Sequence, residues 1–305
     1  MQIFTGIDIG GSNIKIGLVD SSGQLLEKKK VPTRTIREAG KHAADKLVEV
    51  INEWLDAHPK VKHVGIGVPG MLSRNQRVLL ELANIPELNG VMLLERLERY
   101  HEKVTFHMEN DANAAALGEL YFGKSQLPDS FMLITLGTGV GGGVVINRKI
   151  FKGGDGNAME IGHIVAGNGR TIEQTIGKAG IIQMTKELMA MGKKSTYLHP
   201  EEPFDDDDLI NAAQKGDTLV LTVFEQVGKY VGQAIVSSAL ILDIKTVLIG
   251  GGLAKGFPYM QIGWQQTFRQ FLSPYYASKM RVLPATLGNN AGILGAAALC
   301  FRHES

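Results

Sequence analysis

The sequence predicts an α/β fold with two lobes built on one duplicated plan. Apolar runs typical of strands alternate with helical patterns along the chain, which is the signature of α/β proteins. A strand, a glycine turn and a second strand occur near the start of each half, at residues 3–20 and again at residues 131–147. The length of 305 residues is comfortable for two lobes. Recurrence of the same pattern in both halves indicates duplication.

The first half begins with two strands around a glycine turn and continues with alternating helices and strands. Leu47, Ile51 and Trp54 fall on one face of the first long helical pattern. The predicted strands are Ile3–Ile9, Ile14–Val19, Val64–Val68 and Val104–Met108, and the predicted helices are Glu38–Ala57, Leu93–Tyr100 and the Ala-rich Asn110–Leu120.

The second half repeats the strand–turn–strand pattern and ends in an apolar helix. Its predicted elements are strands at Phe131–Leu136, Val144–Asn147 and Thr246–Ile249, a glycine turn at Gly137–Gly143 and a helix at Ala291–Phe301. A polar stretch, Lys124–Ser130, precedes the second copy of the pattern. We expect an N-terminal lobe of residues 1–117, with a C-terminal helix at 290–305 packing back on it, and a C-terminal lobe of residues 118–289.

Composition narrows the classes of function. Lys and Arg nearly balance Asp and Glu, with a formal net charge of +1, so charge gives no reason to expect a nucleic-acid or membrane partner. Cys300 is the single cysteine, which rules out a disulfide within the chain and fits a reducing compartment. The N-terminus does not read as a signal peptide, and no run of apolar residues is long enough to span a membrane. We therefore expect a cytoplasmic protein.

The first glycine turn is a candidate phosphate-binding segment. Backbone N–H groups of Gly10, Gly11, Ser12 and Asn13 can face an anion, because no bulky side chain obstructs its approach. Asp8 precedes the turn and could hold Mg²⁺ through water. The segment lacks the Gly-Lys-Ser/Thr of a P-loop, and a strand follows it where a dinucleotide-binding fingerprint has a helix. A β-hairpin with glycines that serve only turn geometry is the alternative.

The second glycine turn favours the phosphate-binding interpretation. Five of the seven residues from Gly137 to Gly143 are glycine, more than a hairpin needs. Two such turns in a duplicated plan could hold successive phosphates of one nucleotide. Two further glycine clusters, Gly250–Gly252 and Gly288–Gly292, could shape a slot for the base and ribose.

Asn110 and Asp111 are the candidate catalytic pair. They lie between a predicted strand and a helix, at the sheet edge where open α/β sheets bind ligands. A carboxylate there can accept a hydroxyl proton while the amide holds the substrate. The alternative is that they only cap the helix.

Three further polar residues are candidate ligands on weaker grounds. Glu160 and His163 are three residues apart and could contact neighbouring hydroxyl groups, although either could be structural or solvated; Glu173 has less support. The acidic run Asp205–Asp208 precedes a helical pattern, so it could cap that helix or hold a cation.

These motifs, in this order, resemble the ROK family (repressors, open reading frames, kinases). The resemblance runs from Gly6 to nearly the end of the chain. It implies an actin-like ATPase fold, in which two RNase H-like lobes have a cleft between them. It also implies that Asp111 is the catalytic base and that Asn84, Asn110, Glu160, His163 and Glu173 bind the sugar. The nucleotide side would comprise Asp8, Gly10, Gly11, Ser12, Asn13, Lys15, Gly137, Thr138, Gly139, Gly251, Gly252 and Asn290, with Asp8 also binding Mg²⁺ through water.

The chain departs from the family pattern in one segment. Many members carry a cysteine-rich zinc loop after the His, whereas Ala166–Ile176 contains no cysteine. Structural zinc needs four ligands, so we expect no zinc site. The alignment of Glu173 with the family's sugar-binding glutamate is affected by the same change.

The resemblance implies ATP- and Mg²⁺-dependent phosphorylation of a hexose or N-acetylhexosamine at the 6-hydroxyl group, by a homodimer or homotetramer. Polyphosphate as the donor stays open. The alternatives are a sugar-sensing regulator without a DNA-binding domain, and a sugar-binding protein without catalysis. The family's repressors carry a helix-turn-helix domain ahead of the kinase-like lobes. Gly6 already belongs to the phosphate motif here, which leaves no room for such a domain. The presence of both Asp8 and Asp111 counts against a sugar-binding protein without catalysis.

Overall fold

A computed structural model describes residues 2–303 and confirms the α/β class. The strands are β1 (Ile3–Ile9), β2 (Asn13–Asp20), β3 (Leu25–Pro32), β4 (His63–Val68), β5 (Met71–Leu72), β6 (Leu79–Glu81), β7 (Thr105–Asn110), β8 (Phe131–Leu136), β9 (Val140–Ile146), β10 (Lys149–Ile150), β11 (Thr246–Gly250) and β12 (Arg281–Pro284). The α-helices are α1 (Thr33–Arg37), α2 (Ala43–Ala57), α3 (Leu93–Glu98), α4 (Asp111–Phe122), α5 (Ile172–Ile176), α6 (Lys178–Ala190), α7 (Asp206–Gln214), α8 (Thr218–Leu242), α9 (Phe257–Phe271), α10 (Pro274–Lys279) and α11 (Ala291–Ala298). Short 3₁₀ segments are Gly40–His42, Pro86–Leu88, Ile161–His163, Gly252–Gly256, Gly288–Asn290 and Leu299–His303.

Two five-stranded sheets share one strand order, as the duplicated pattern predicted. The first sheet runs β3-β2-β1-β4-β7 and the second runs β10-β9-β8-β11-β12. In the first, β1 is antiparallel to β2 and parallel to β4, and β4 is parallel to β7. In the second, β11 is parallel to both β8 and β12. β5 and β6 form a separate antiparallel hairpin.

The chain divides into two compact units. The first unit comprises residues 1–126, 143–158 and 289–305, and the second comprises residues 127–142 and 159–288. The lobe boundaries expected from the sequence stay a prediction, and residues 304–305 of the expected C-terminal segment lie outside the described residues.

The core of the first unit forms where β1, β2 and β4 pack against α2. Ile7, Ile9 and Ile66 are fully buried in it, and α2 contributes Leu47 and Ile51. The Trp54 indole of α2 buries its N–H by donating to Thr5 Oγ1 at 3.0 Å. The apolar spacing of α2 therefore faces the sheet, as the sequence predicted.

Close packing of α11 on β1 and β4 depends on two glycines. A Cβ atom on Gly6 would overlap the carbonyl oxygen of Ile293, and one on Gly65 would overlap that of Ala296. Both neighbours are backbone atoms of a helix, which cannot move aside as a flexible side chain can. These two positions thus bring the C-terminal helix against the first sheet.

Several predicted boundaries differ from the structure. The helix predicted from Glu38 begins only at Ala43, after α1 and a 3₁₀ turn. The second glycine turn is shorter than predicted, because residues 141–143 belong to β9. Gly143 approaches α4 closely, since a Cβ atom there would lie 2.7 Å from the Ala112 carbonyl oxygen. Strand glycines of this kind permit close backbone approach.

The second unit contains the longest helix, α8, which packs against α9. A Cβ atom on Gly228 of α8 would overlap the Met260 carbonyl oxygen of α9, so small residues again set the distance between two helices. In the part of the chain that the structure describes, no helix has both the length and the apolar character needed to cross a membrane.

We expect Gly65→Ala to lower the free energy of unfolding by about 3 kcal/mol, because the added methyl group overpacks the β4–α11 contact. Urea denaturation measures this loss. Gly154→Ala is the matched control, since a Cβ atom on Gly154 meets open space. The two variants having equal stability would contradict the packing argument.

Candidate active site

Hydrogen bonds to Gly10 fix the turn between β1 and β2, and the next two residues of the turn are exposed to solvent. Gly10 N donates to Asn13 O at 3.0 Å, and Thr33 Oγ1 donates to Gly10 O at 2.6 Å. Gly11 and Ser12 are exposed. Asn84 lies beside this turn, because a Cβ atom on Gly11 would be 3.0 Å from its Cβ atom. The arrangement suits an anion that approaches the turn from solvent.

Asp8 lies at the end of β1, almost buried and paired with a lysine. Lys15 faces it across the β1–β2 ladder, with Nζ 3.0 Å from Asp8 Oδ2. A Cβ atom on Gly292, near the start of α11, would overlap the Asp8 carboxylate, so glycine lets this helix pass close to Asp8. Asn290 precedes the same helix. The glycine cluster at 288–292 therefore borders Asp8.

Asp8 fits the role expected for magnesium. Mg²⁺ commonly uses one or two carboxylates and keeps several waters while it binds substrate phosphates. One carboxylate next to a turn of backbone N–H groups meets that description. Because Lys15 already contacts Oδ2, the site favours a contact through water over a direct ligand.

Asn110 and Asp111 occupy the junction of β7 and α4. Asn110 Oδ1 accepts from Ala112 N at 2.9 Å and Asn113 N at 3.2 Å, so its side chain is the N-cap of α4. Its Nδ2 donates to Gly70 O at 3.1 Å. Asn110 therefore caps α4, which was one of the two interpretations from the sequence. The role of Asn110 as a sugar ligand stays a prediction.

The carboxylate of Asp111 lies at the N-terminus of a twelve-residue helix. Unpaired N–H groups at a helix N-terminus stabilise negative charge. Asp111 is partly exposed. Asp8 pairs with Gly67 in the sheet register and Gly67 pairs with Glu109, so the strand ends that carry Asp8 and Asp111 are about 10 Å apart.

Sequence reasoning missed the role of Glu109, although it directly precedes Asn110 and Asp111. Its side chain is 1% exposed, and Oε2 lies 3.1 Å from Lys152 Nζ. Gln76 donates to the same oxygen at 2.5 Å, and Asn113 donates to Oε1 at 3.3 Å. A buried carboxylate requires such partners. Glu109 therefore connects the loop of the hairpin β5–β6 and the segment after β10 to the end of β7, directly before Asn110.

The second glycine turn, at 137–139, belongs to the second unit and is supported by Glu173. Glu173 Oε2 accepts from Val140 N at 2.9 Å, and a Cβ atom on Gly139 would overlap that oxygen. Gly137 faces open space and Thr138 is exposed. Glu173, expected as a sugar ligand, thus uses one oxygen to hold the turn.

Lys178 lies beside the same turn but its charge is already balanced. Its backbone N–H donates to Gly137 O at 2.9 Å, while its ammonium group pairs with Asp206. The hydrogen bond to Asp206 raises the pKa of Lys178. Asp205 caps α7 through a capping box with Asp208, so the acidic run is engaged in helix capping and ion pairs.

Glu160 and His163 do face the same side. His163 Nδ1 lies 3.3 Å from Glu160 Oε2, across the 3₁₀ turn Ile161–His163, and the imidazole is 64% exposed. Met159, immediately before Glu160, has a positive φ of 73°. An exposed, paired imidazole and carboxylate on a conformationally restricted segment suit hydrogen bonding to a polar ligand.

Gly251 and Gly252 follow β11. Gly251 has φ 87°, and a Cβ atom there would overlap the Leu136 carbonyl oxygen; Gly252 meets open space. The backbone therefore passes close to the end of β8, which precedes the second glycine turn. The second glycine turn and the third glycine cluster thus adjoin each other in the second unit.

Hydrogen bonds organise the segment in which the family's zinc loop would lie. Ala166 N donates to Arg170 O at 2.6 Å, and Thr171 and Gln174 form a capping box at the start of α5. Within residues 2–303, no group of three or more His, Cys, Asp or Glu side chains could hold a metal ion. The expectation of no zinc stays a prediction.

Comparison with known proteins shows which proteins this chain resembles in sequence and fold. The chain is 30% identical to a glucokinase of Halalkalibacterium halodurans, over 99% of this chain and 96% of that protein. A candidate sugar kinase from Cytophaga hutchinsonii superposes with a TM-score of 0.91 at 35% identity, covering 98% of this chain and 100% of that one. A ROK family glucokinase from Streptomyces griseus, solved with glucose and AMPPNP, gives a TM-score of 0.82 at 29% identity, covering 98% and 99%.

The repeated sheets, the two glycine turns and the Asn-Asp junction, together with these likenesses, define a sugar kinase with an actin-like ATPase fold. The ROK family model matches residues 4–303. The chain belongs to the ROK family.

We expect Lys152→Met to lower the free energy of unfolding by about 3 kcal/mol, because it removes the Lys152 ammonium group from the buried Glu109 carboxylate. Urea denaturation of the wild type, Lys152→Met, Glu109→Gln and the double variant measures the coupling between the two groups. The double variant should be more stable than Lys152→Met alone. Strictly additive losses would show that the two groups do not act as a pair.

Proposed function

We propose that this enzyme transfers the γ-phosphoryl group of ATP to the 6-hydroxyl group of a hexose or N-acetylhexosamine. The observation that carries the proposal is the carboxylate of Asp111 on the first residue of α4, at the carboxyl ends of the parallel strands that also present Asp8. The likeness to a glucokinase at 30% identity and to a ROK glucokinase bound to glucose and AMPPNP supports the class of substrate and donor.

Asp111 is the proposed general base. It accepts the proton of the attacking hydroxyl group as the hydroxyl oxygen bonds to the γ-phosphorus and the bond from that phosphorus to the β–γ bridging oxygen breaks, which releases ADP. The N–H groups at the helix N-terminus stabilise negative charge on this carboxylate. Phosphoryl transfer depends mainly on positioning and electrostatics, so Asp111 also acts by orienting the hydroxyl group.

Five residues are the proposed sugar ligands: Asn84, Asn110, Glu160, His163 and Glu173. Asn110 keeps one amide proton beyond its contact with Gly70 O, because an amide nitrogen carries two. Glu173 has Oε1 for the sugar, while Oε2 holds the second turn. Glu160 and His163 form a hydrogen-bonding pair with an acceptor and a ring nitrogen close together.

The two glycine turns are the proposed phosphate sites. Gly10, Gly11, Ser12 and Asn13, with Lys15, would serve the first, and Gly137, Thr138 and Gly139 the second; Gly251, Gly252 and Asn290 would border the nucleoside. Asp8 would hold Mg²⁺ through water, and the ion would neutralise charge on the β- and γ-phosphates. Lys15 balances the charge of Asp8 and keeps its carboxylate in place.

We expect Asp111→Asn to lower kcat by about 10²–10⁴-fold, because the amide cannot accept the hydroxyl proton. A coupled ADP-release assay with Mg-ATP against a panel of hexoses and N-acetylhexosamines measures this and identifies the sugar. Asp155→Asn, at an exposed position of the first unit, is the control and should retain activity. A kcat within a few-fold of the wild type would remove Asp111 as the base.

We expect Glu160→Gln to raise the KM for the sugar by about 10–100-fold, because it weakens hydrogen bonds made by a charged acceptor. The KM for ATP should change little, since Glu160 is assigned to the sugar alone. Initial rates with each substrate varied in turn separate the two constants. An equal rise in both constants, or a rise only for ATP, would contradict the assignment.

A further inference from the structure

The first unit contains a cavity of about 770 Å³ that the proposed reaction does not use. It lies along β7, the last strand of the first sheet, next to the loop of the hairpin β5–β6 and the turn between β9 and β10. A cavity of this volume falls in the range of small-molecule sites.

Four cationic side chains line the cavity. They are Arg77, Arg148, Lys149 and Lys152, and the described residues that line it include no Asp or Glu. Arg77 is also bonded to Glu98, and Lys152 to Glu109. Arg148 and Lys149 are exposed.

Five apolar side chains also line the cavity and are named its apolar floor: Leu94, Phe106, Met108, Ile150 and Leu299. A lining with both cationic and apolar side chains matches a ligand that has both an anionic group and a carbon skeleton. A bare inorganic ion would leave the floor unused.

Three non-glycine residues around this cavity have positive φ angles, a conformation that side chains rarely adopt. Gln76, Asn147 and Arg148 all line it and have φ values of 59°, 50° and 63°. The described chain has five non-glycine residues with positive φ, and three of them are here. Residues held in this region cluster at ligand sites.

Among these three residues, Arg148 departs furthest from what its local turn favours. Asn147 and Arg148 join β9 to β10 with positive φ at both positions, as in a type I′ turn. Such a turn favours Asn followed by Gly, because glycine adopts positive φ without strain. An arginine at the second position opposes local turn chemistry, which is typical of a residue that serves a function.

We propose that this basic cavity binds a small phosphomonoester with an apolar carbon skeleton, at a site separate from the proposed sugar and nucleotide residues. Arg148 and Lys149 supply charge-assisted hydrogen bonds to the phosphate oxygens, with Arg offering a planar pair of donors. The apolar floor holds the carbon skeleton.

Lys152 connects the cavity to the candidate active site. It lines the cavity and lies 3.1 Å from the carboxylate of Glu109, which adjoins Asn110. A bound phosphate competes with Glu109 for this ammonium group. Occupancy of the cavity therefore alters the support of the β7–α4 junction, and this second part of the inference rests on the proposed function.

Isothermal titration calorimetry with phenyl phosphate tests the site, because this probe is neither a product of sugar phosphorylation nor a nucleotide. The site variant is Arg148→Asn/Lys149→Gln; asparagine accommodates the positive φ of residue 148, so the turn is kept. Lys41→Gln/Lys60→Gln removes two exposed cations elsewhere in the first unit and is the matched control.

The expected result is saturable binding of phenyl phosphate to the wild type and the control, weakened at least about tenfold in the site variant, and tighter than binding of inorganic phosphate. Absence of saturable binding, or equal affinity in wild type and site variant, would overturn the site. Equal affinity for phenyl phosphate and inorganic phosphate would overturn the role of the apolar floor.

Sugar-kinase rates with and without phenyl phosphate test the connection through Lys152. The probe should change kcat/KM for the sugar at least about twofold in the wild type and leave the site variant unchanged. An identical response in both proteins would overturn the connection. If no sugar is phosphorylated at all, the proposed function fails, while calorimetry still decides whether the cavity binds a phosphomonoester.

Discussion

The candidate site of the first unit depends on the ion pair and hydrogen bonds that the buried carboxylate of Glu109 makes. A charge at 1% exposure is stable only when cations and donors surround it, and here Lys152, Gln76 and Asn113 do so. Each partner comes from a different part of the chain. Satisfying one charge therefore positions the β5–β6 hairpin, the segment after β10 and α4 around the Asn-Asp junction.

Close backbone packing shapes the surroundings of Asp8, which lies at the same carboxyl end of these parallel strands. Gly6 and Gly65 let α11 rest on β1 and β4, and Gly292 then lets the start of that helix pass the Asp8 carboxylate. The last helix of the chain thus helps to shape the surroundings of the first acidic residue. In the second unit, Glu173 has a comparable part, since its carboxylate holds the N–H group of Val140 at the end of the glycine turn.

Strongly patterned features were predictable from the sequence. The alternation of strands and helices, the repeated glycine turns and the Asn-Asp junction all appear where they were expected. Less regular features were not predictable. The start of α2 was missed because α1 and a 3₁₀ turn precede it, and the extent of the second turn was overestimated because Gly141–Gly143 lie within β9. Glycine runs look alike whether they serve a turn or close packing in a strand.

The sequence by itself determined the α/β class and the duplicated plan, because periodicity and motif spacing are local properties of the chain. The catalytic and binding residues that the family resemblance implied stay a proposal. Only the tertiary structure decided that Asn110 caps α4, that Glu173 supports a turn and that Glu109 pairs with Lys152. It also decided that Gln76, Arg148 and Lys149 line one basic cavity. Residues 76 and 148 meet only after the sheet and its hairpins form, and no periodicity in a sequence records such long-range contacts.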